Sequence, residues 1–279
     1  MKLDITSPSP NIGKVVANGV LIIIGLLFLV PMTWLILASV DGNAGLSVGL
    51  SHFTFSNFKK VWTWNLVARP LLNGLLISGV TALIVAVFSA LCAYPLSRYR
   101  LRFGNSFLYT VLFGASLPAT AIVIPVYTLF IHFHLVNSIL GVIIFEGAGA
   151  LPYSIWLTKN FMDGVPIDIE EAAWMDGAGT LDSLRRIVLP LVIPGLVAMF
   201  VFTFIESWGN FFAPFILLSS PSKFPIAVSI ESFFGNRGEV IYGQLAAFSV
   251  IYSAPIIILY LLVQRVLSAG FRLEGGIKG

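Results

Sequence analysis

Residues 72–97 read LNGLLISGVTALIVAVFSALCAYPLS, twenty-six positions without Asp, Glu, Lys, Arg or His, and Arg98-Tyr99-Arg100-Leu101-Arg102 follows directly. As a helix rising about 1.5 Å per residue this stretch is roughly 39 Å long, enough to cross a hydrocarbon layer of about 30 Å. Five further uncharged or nearly uncharged runs recur at about 16–39, 107–131, 138–158, 192–218 and 244–266. The chain as a whole is 57% hydrophobic and only 10% charged, whereas a soluble domain carries roughly 25% charged residues. Water is the wrong solvent for such a composition. A transmembrane β-barrel shows alternating segments of about ten residues, and these runs are continuous and about twice as long. The reading is an all-α membrane protein in which residues 1–279 form a single transmembrane domain with six spans.

Six spans place both termini on one side. With the N-terminus in the cytoplasm, eleven Lys and Arg residues fall inside and five outside, and the Arg98-Arg100-Arg102 cluster occupies a very short inner loop, where the positive-inside rule acts most strongly. This distribution accounts for the net charge of +3 without a nucleic-acid partner. The outer segments 40–71 and 219–243 are predicted to hold short helices. The stretch from Val16 to Ala38 is read as a retained first helix rather than a cleaved signal. The lone Cys92 excludes an intrachain disulfide. Pro31, Pro95, Pro118, Pro125, Pro194, Pro214 and Pro255 lie in or at the ends of spans, and each removes a backbone donor and favours a kink. No internal repeat pairs the two halves, unlike many inverted-repeat transporters.

The longest inner connection, 160–191, carries six acidic residues and reads as two short helices. Asp168 is placed to cap the first, with Glu171 reaching back as in a capping box and Glu170 adding negative charge near the helix start. Gly177 suits a left-handed C-terminal cap. Leu181, Leu184, Ile187 and Val188 recur on one face of the second helix, and Pro190 is read as the return to the membrane. The residues alone fit either an ordinary surface hairpin or a helix seated in the groove of a partner.

The run Glu171-Ala172-Ala173-Trp-Met-Asp176-Gly177, nine further residues, and then Ile187-Val-Leu189-Pro190 resembles the EAA signature of binding-protein-dependent ABC importer permeases. Asn73-Gly74-Leu75, Ala93-Tyr94-Pro95-Leu96-Ser97-Arg98-Tyr99, Ile124-Pro125-Val126-Tyr127 and the terminal Gly276-Ile277-Lys278-Gly279 resemble the carbohydrate-uptake branch, in particular the shorter permease of maltose-type systems. The resemblance implies a type I ABC importer permease fold in a bacterial cytoplasmic membrane. It implies a cytoplasmic coupling helix that meets an ATPase through Glu171, Ala172, Ala173, Asp176, Gly177, Ile187, Leu189 and Pro190. It further implies a second homologous permease, two ATPase subunits holding ATP and Mg, an extracytoplasmic solute-binding protein and a sugar cargo. The chain itself is expected to bind no cofactor. One departure stands out: where the branch has Trp-Asn-acidic-Phe, this chain has Trp208-Gly209-Asn210-Phe211, with Glu206 two residues before the tryptophan.

Glu146 and Glu206 are the only acidic residues in the predicted spans, and a charge at membrane depth needs water, a partner or a substrate. Glu206, Trp208, Asn210 and Tyr127 are the candidates for the solute path. An aromatic face with amide or carboxylate groups suits a sugar. The alternative is that Glu206 bonds to a partner permease while Trp208 packs structurally. Glu146, beside Gly147 and Gly149, reads as a structural hydrogen-bonding group. His132, His134 and Asn137 read as loop residues rather than metal ligands. No catalytic constellation and no phosphate-binding Gly-rich loop is present in the sequence. The other cargo readings are glycerol phosphates, which call for basic groups in the spans, and polyamines, which suit two carboxylates. A transporter driven by ions instead of ATP is the alternative outside this architecture.

Overall fold

A computed structural model describes residues 12–45, 52–234 and 240–275. In chain order the α-helices are α1 (Ile12–Ser39), α2 (Ser56–Val61), α3 (Arg69–Arg98), α4 (Gly104–Ala115), α5 (Ala119–His132), α6 (Ile139–Asp163), α7 (Ile167–Met175), α8 (Thr180–Ser183), α9 (Leu189–Gly209), α10 (Phe212–Leu217), α11 (Ile226–Ser229) and α12 (Tyr242–Gly275). Among the described residues there is no strand, only an isolated bridge between Asp41 and Phe53. Five helical rods are long and apolar enough to cross a membrane, or six if the bent pair α4–α5 is one span. Along α1 large apolar side chains such as Leu27 and Phe28 are exposed, the surface expected of a helix solvated by lipid.

Two of these rods, Trp64–Arg98 and Thr180–Gly209, begin well before the runs at 72–97 and 192–218, for one physical reason. Pro70 and Pro190 cannot donate a backbone hydrogen bond, which would ordinarily end or kink a helix. Here each is preceded by a π-helical turn, Trp64–Ala68 and Leu184–Val188, in which the Arg69 and Leu189 amides reach back five residues to the Trp64 and Leu184 carbonyls. The wider turn absorbs the missing donor, so helix runs continuously over Trp64–Arg98 and Thr180–Gly209. Pro190 therefore does not end the second helix of the 160–191 connection. It lies inside a rod that enters the membrane region directly.

The run at 107–131 departs in the opposite sense. It is two helices meeting at 93°, with Pro118 as the N-cap of α5. The residue before a proline is pushed out of the helical region, so the bend falls at Ser116-Leu117-Pro118. The run at 192–218 likewise stops as one helix at Gly209. Asn210 is extended there, and its Oδ1 accepts the Ala213 amide 3.1 Å away to start α10. The last helix continues through Gly275; Gly276 to Gly279 lie outside the described residues.

The chain divides into two compact units, residues 1–61 with 233–251, and residues 62–232 with 252–279. In the first, the buried Asn57 donates to the Ser39 and Asp41 carbonyls at 3.2 and 2.8 Å and fixes α2 against the end of α1. In the second, α3 is central and packs on both α6 and α9. One apolar cluster, including Ala93, Tyr94, Met162, Leu184 and Val188, joins α3 to the end of α6 and to the π turn before α9. Another, including Ile77, Val123, Val142 and Leu217, joins α3, α5, α6 and α10.

Close approaches in this unit are made at glycines. A Cβ on Gly141, in the first turn of α6, would collide with the Leu135 backbone carbonyl oxygen, which cannot swing aside as a side chain can. Gly141→Ala is expected to destabilise the chain by about 1–3 kcal/mol through overpacking, read as a lower midpoint in thermal unfolding followed by fluorescence-detected size exclusion. An unchanged midpoint would count against the contact.

Candidate functional site

Two places bring chemically distinctive residues together, the 160–191 connection and a cavity between α3, α4–α5, α6 and α9.

In the connection, α6 turns through Gly164-Val165 into α7, whose N-cap is Pro166 with no side-chain cap bond. The expected capping box is absent: the helix begins before Asp168, which lies inside its first turn. The acidic residue that matters structurally is Glu170. It is fully buried at 0% exposure, one carboxylate oxygen taking a hydrogen bond from the Arg98 Nε and the other from the Tyr94 hydroxyl at 3.0 Å. Arg98 also donates to the Val165 carbonyl at 3.1 Å and to Ser97 Oγ at 3.3 Å. Ser97 in turn donates to Asp163 at 2.6 Å, and Asp163 pairs with Lys159. The last turn of α3, the end of α6 and the start of α7 thus share one polar chain.

The far end of α7 is closed by a Schellman motif. The Ala178 amide donates to the Ala173 carbonyl at 2.9 Å and the Gly177 amide to that of Trp174 at 3.0 Å, with Gly177 at φ +88°. The residues of the EAA-like run lie at this end in two sets. Glu171, Ala172, Asp176 and Gly177 are exposed and Ala173 half-buried, while Ile187 and Leu189 are half-buried and Pro190 exposed on the adjoining rod. Met175, 88% exposed, and Leu181 stand open beside them, an apolar surface flanked by carboxylates. Leu184 and Val188 are buried as the helical spacing predicted, whereas Leu181 is not.

The cavity measures about 620 Å³. Thr203, Glu206, Ser207 and Asn210 line it from α9 and the residue after its end, and Glu146 faces it from α6 and Thr81 from α3. Ser207 Oγ donates to one Glu146 oxygen and lies 3.2 Å from Ser78 Oγ, so Glu146 does make the structural bond its surroundings predicted. Its other oxygen, Oε1, and Thr81 Oγ1 are buried without a hydrogen-bond partner. No Lys, Arg or His is among the lining residues, and the rest of the wall is mostly apolar, with Phe130 and Phe145.

Of the four solute-path candidates, Glu206 and Asn210 face this cavity and Trp208 and Tyr127 are not among its lining residues. Trp208 is buried between the rings of Phe204 and Tyr252, with centroids 5.8 and 5.7 Å away. Tyr127 packs against the apolar cluster of α3, α5 and α6. His132 Nδ1 donates to the Thr128 carbonyl of its own helix at 2.9 Å. Asn137 sits at φ +56° and joins its loop to the segment after α10, donating to Ser220 Oγ and accepting from the Ser219 and Ser220 amides. Among the described residues no cluster of three or more His, Cys, Asp or Glu could hold a metal.

Apolar helices long enough to cross a membrane, an exposed short helix and a polar-striped cavity are the features a transport permease requires. Residues 82–273 match the family described as binding-protein-dependent transport system inner membrane component, and the chain belongs to that family. It is therefore a multi-pass inner-membrane protein. The chain is 27% identical over 90% of its length, and 84% of the relative's, to the diacetylchitobiose uptake system permease protein NgcG of Streptomyces coelicolor. It is 27% identical over 98% of its length, and 99% of the relative's, to the arabinooligosaccharides transport system permease protein AraQ of Bacillus subtilis. Its fold matches a chain in the crystal structure of a bacterial ABC transporter for import of the acidic polysaccharide alginate, with a TM-score of 0.78, 23% identity, and coverage of 93% of this chain and 98% of that one.

Proposed function

We propose that this chain is one permease subunit of an ATP-driven importer of a carbohydrate, working with a second homologous permease, two ATPase subunits and an extracytoplasmic solute-binding protein. Both termini lie in the cytoplasm, and ATP and Mg are held by the ATPase subunits. The observation that carries the reading is the surface of α7: a two-turn helix in a short connection, closed at its C-terminal end by the Schellman motif and presenting Glu171, Ala172, Asp176, Gly177 and Met175 to solvent. A helix of this length is marginal unless packed, and this one is packed on its Glu170 side, leaving the opposite side free for a groove in an ATPase. ATP binding moves α7, and the bundle changes the side to which its cavity opens.

The cavity supports a neutral hydroxyl-bearing cargo. Thr203, Glu206, Ser207 and Asn210, at i, i+3, i+4 and i+7 spacing, line one side of it and offer acceptors and donors for hydroxyl groups. With two carboxylates and no cation on its walls, it is ill-suited to glycerol phosphates, which want charge-assisted donors. The names of the diacetylchitobiose and arabinooligosaccharide relatives add support for a sugar. The same carboxylate pair favours a polyamine as the second reading.

The test is purification from native membranes through a tag on this chain, followed by ATPase assay with binding proteins loaded with candidate sugars or polyamines. Recovery of a second permease and an ATPase pair, with hydrolysis stimulated by one sugar-loaded binding protein, is the expected result. Stimulation only by a polyamine-loaded protein selects the second reading, and solute uptake by this chain without an ATPase sinks both.

A further inference from the structure

Arg98 is the last residue of α3, and Glu170 lies within α7, 72 positions later. Their side chains are 4% and 0% exposed. The other two ion pairs among the described residues, Lys159–Asp163 and Arg186–Asp182, reach solvent. Both oxygens of the Glu170 carboxylate are taken by α3, one by Arg98 and one by Tyr94, and the same guanidinium holds the Val165 carbonyl in the turn that leads into α7. The start of α7 is therefore gripped by α3 as well as joined by the chain to α6.

The other end of α7 is built differently. After the left-handed Gly177 the chain passes through Ala178 to Gly179, and a Cβ on either glycine would meet nothing within 4 Å. That joint is open. α3 meanwhile runs from Arg98 to Thr81 on the cavity wall, a span of roughly 25 Å at about 1.5 Å per residue.

We infer that Arg98, Glu170 and Tyr94 latch α7 to α3 as one moving part, so that displacement of α7 reaches the cavity through α3 and not through the glycine joint into α8 and α9. The inference rests on the importer reading for the movement of α7 and adds the route that movement takes. A buried ion pair is a poor source of stability, because an apolar pair of equal volume does as well or better. It is effective at holding one geometry, since any slip leaves a charge unpaired in apolar surroundings. Arg98 and Glu170 are positioning residues: neither lines the cavity nor stands on the exposed face of α7.

The experiment uses the complete complex in proteoliposomes with its loaded binding protein and counts solute molecules imported per ATP hydrolysed, a ratio independent of how much complex is recovered. R98Q and E170Q are each expected to lower that ratio about tenfold or more, and the charge exchange R98E/E170R to restore it to within about threefold of the wild type. Should the single variants fail to assemble, R98L/E170M, which fills the same space without a buried charge, carries the test and is expected to assemble and uncouple. A wild-type ratio in R98Q and E170Q, or in R98L/E170M, overturns the latch. Failure of every variant to assemble also overturns it, in favour of a role in assembly alone. These outcomes presuppose a wild-type complex that couples uptake to ATP, so they remain distinct from failure of the importer reading itself.

Discussion

Glu171→Lys and Gly177→Pro are expected to leave this chain in the membrane at normal levels while cutting ATP-driven uptake by roughly tenfold or more. The two substitutions strike α7 in different ways. Gly177 stands at φ +88°, and proline is locked near −65°, so the left-handed turn cannot form. Proline also removes the amide that donates to the Trp174 carbonyl, and with it one of the two bonds of the Schellman motif. The last turn of α7 then frays, and Met175 and Asp176 lose their fixed position. Glu171→Lys leaves the helix intact, since the side chain is exposed and Lys is a good helix former, but it reverses the charge offered to a partner. Neither residue lies in an apolar span, so insertion is untouched. Uptake of labelled solute into cells, normalised to the chain detected in membrane fractions, measures both, and normal uptake in both variants would remove α7 from the coupling pathway.

The parts of this fold that were legible in the sequence are those written in apolar run length. All six runs are mostly helix, four of them unbroken and two, 107–131 and 192–218, interrupted, because a backbone in lipid has almost no alternative. Illegible were the places where a proline has two possible consequences. Ser116-Leu117-Pro118 lies in an uninterrupted apolar run, and hydropathy carries no signal for the 93° bend there. Pro70 and Pro190 are stop signals by rule, yet a π turn ahead of each lets the helix pass. That outcome depends on packing, not on local sequence.

The candidate site divides in the same way. Gly177 was legible, because only one backbone conformation makes a glycine useful at that point. From the sequence Glu170 reads only as a favourable charge near the start of the helix, and it stands between Asp168 and Glu171, both of which are exposed. Its partner Arg98 was counted only as a charge that orients the membrane protein. The signal available was modest: Tyr94 and Arg98 fall at i and i+4 and so share a face of α3, pointing a hydroxyl and a guanidinium the same way. On α9 and the residue just after it, Thr203, Glu206, Ser207 and Asn210 are regular in helical spacing. Trp208, two positions from Glu206, is turned about 200° from it at about 100° per residue, so Glu206 faces the cavity while Trp208 faces the rings of Phe204 and Tyr252.

Trp208→Ala is expected to destabilise the protein by about 3–5 kcal/mol, the usual cost of removing a large buried aromatic, and Trp208→Phe by only about 1 kcal/mol, near the value of one lost neutral hydrogen bond. The indole is 2% exposed and closely stacked, its plane within 11° of Phe204 and 18° of Tyr252. Its Nε1 donates to the Tyr252 carbonyl at 3.2 Å while the Tyr252 hydroxyl donates back to the Trp208 carbonyl at 3.1 Å. On its other side it lies so close to α3 that a Cβ on Gly74 would come within 3.1 Å of the ring. Trp208 therefore ties α9 to α12 and α3, and phenylalanine preserves the stacking while losing the Nε1 bond. Thermal unfolding of the detergent-solubilised protein separates this role from contact with solute. A structural Trp208 gives a midpoint several degrees lower in W208A and a much smaller drop in W208F. A side chain that touched the solute would instead leave both midpoints unchanged and lower uptake by properly assembled protein, which would return Trp208 to the solute path.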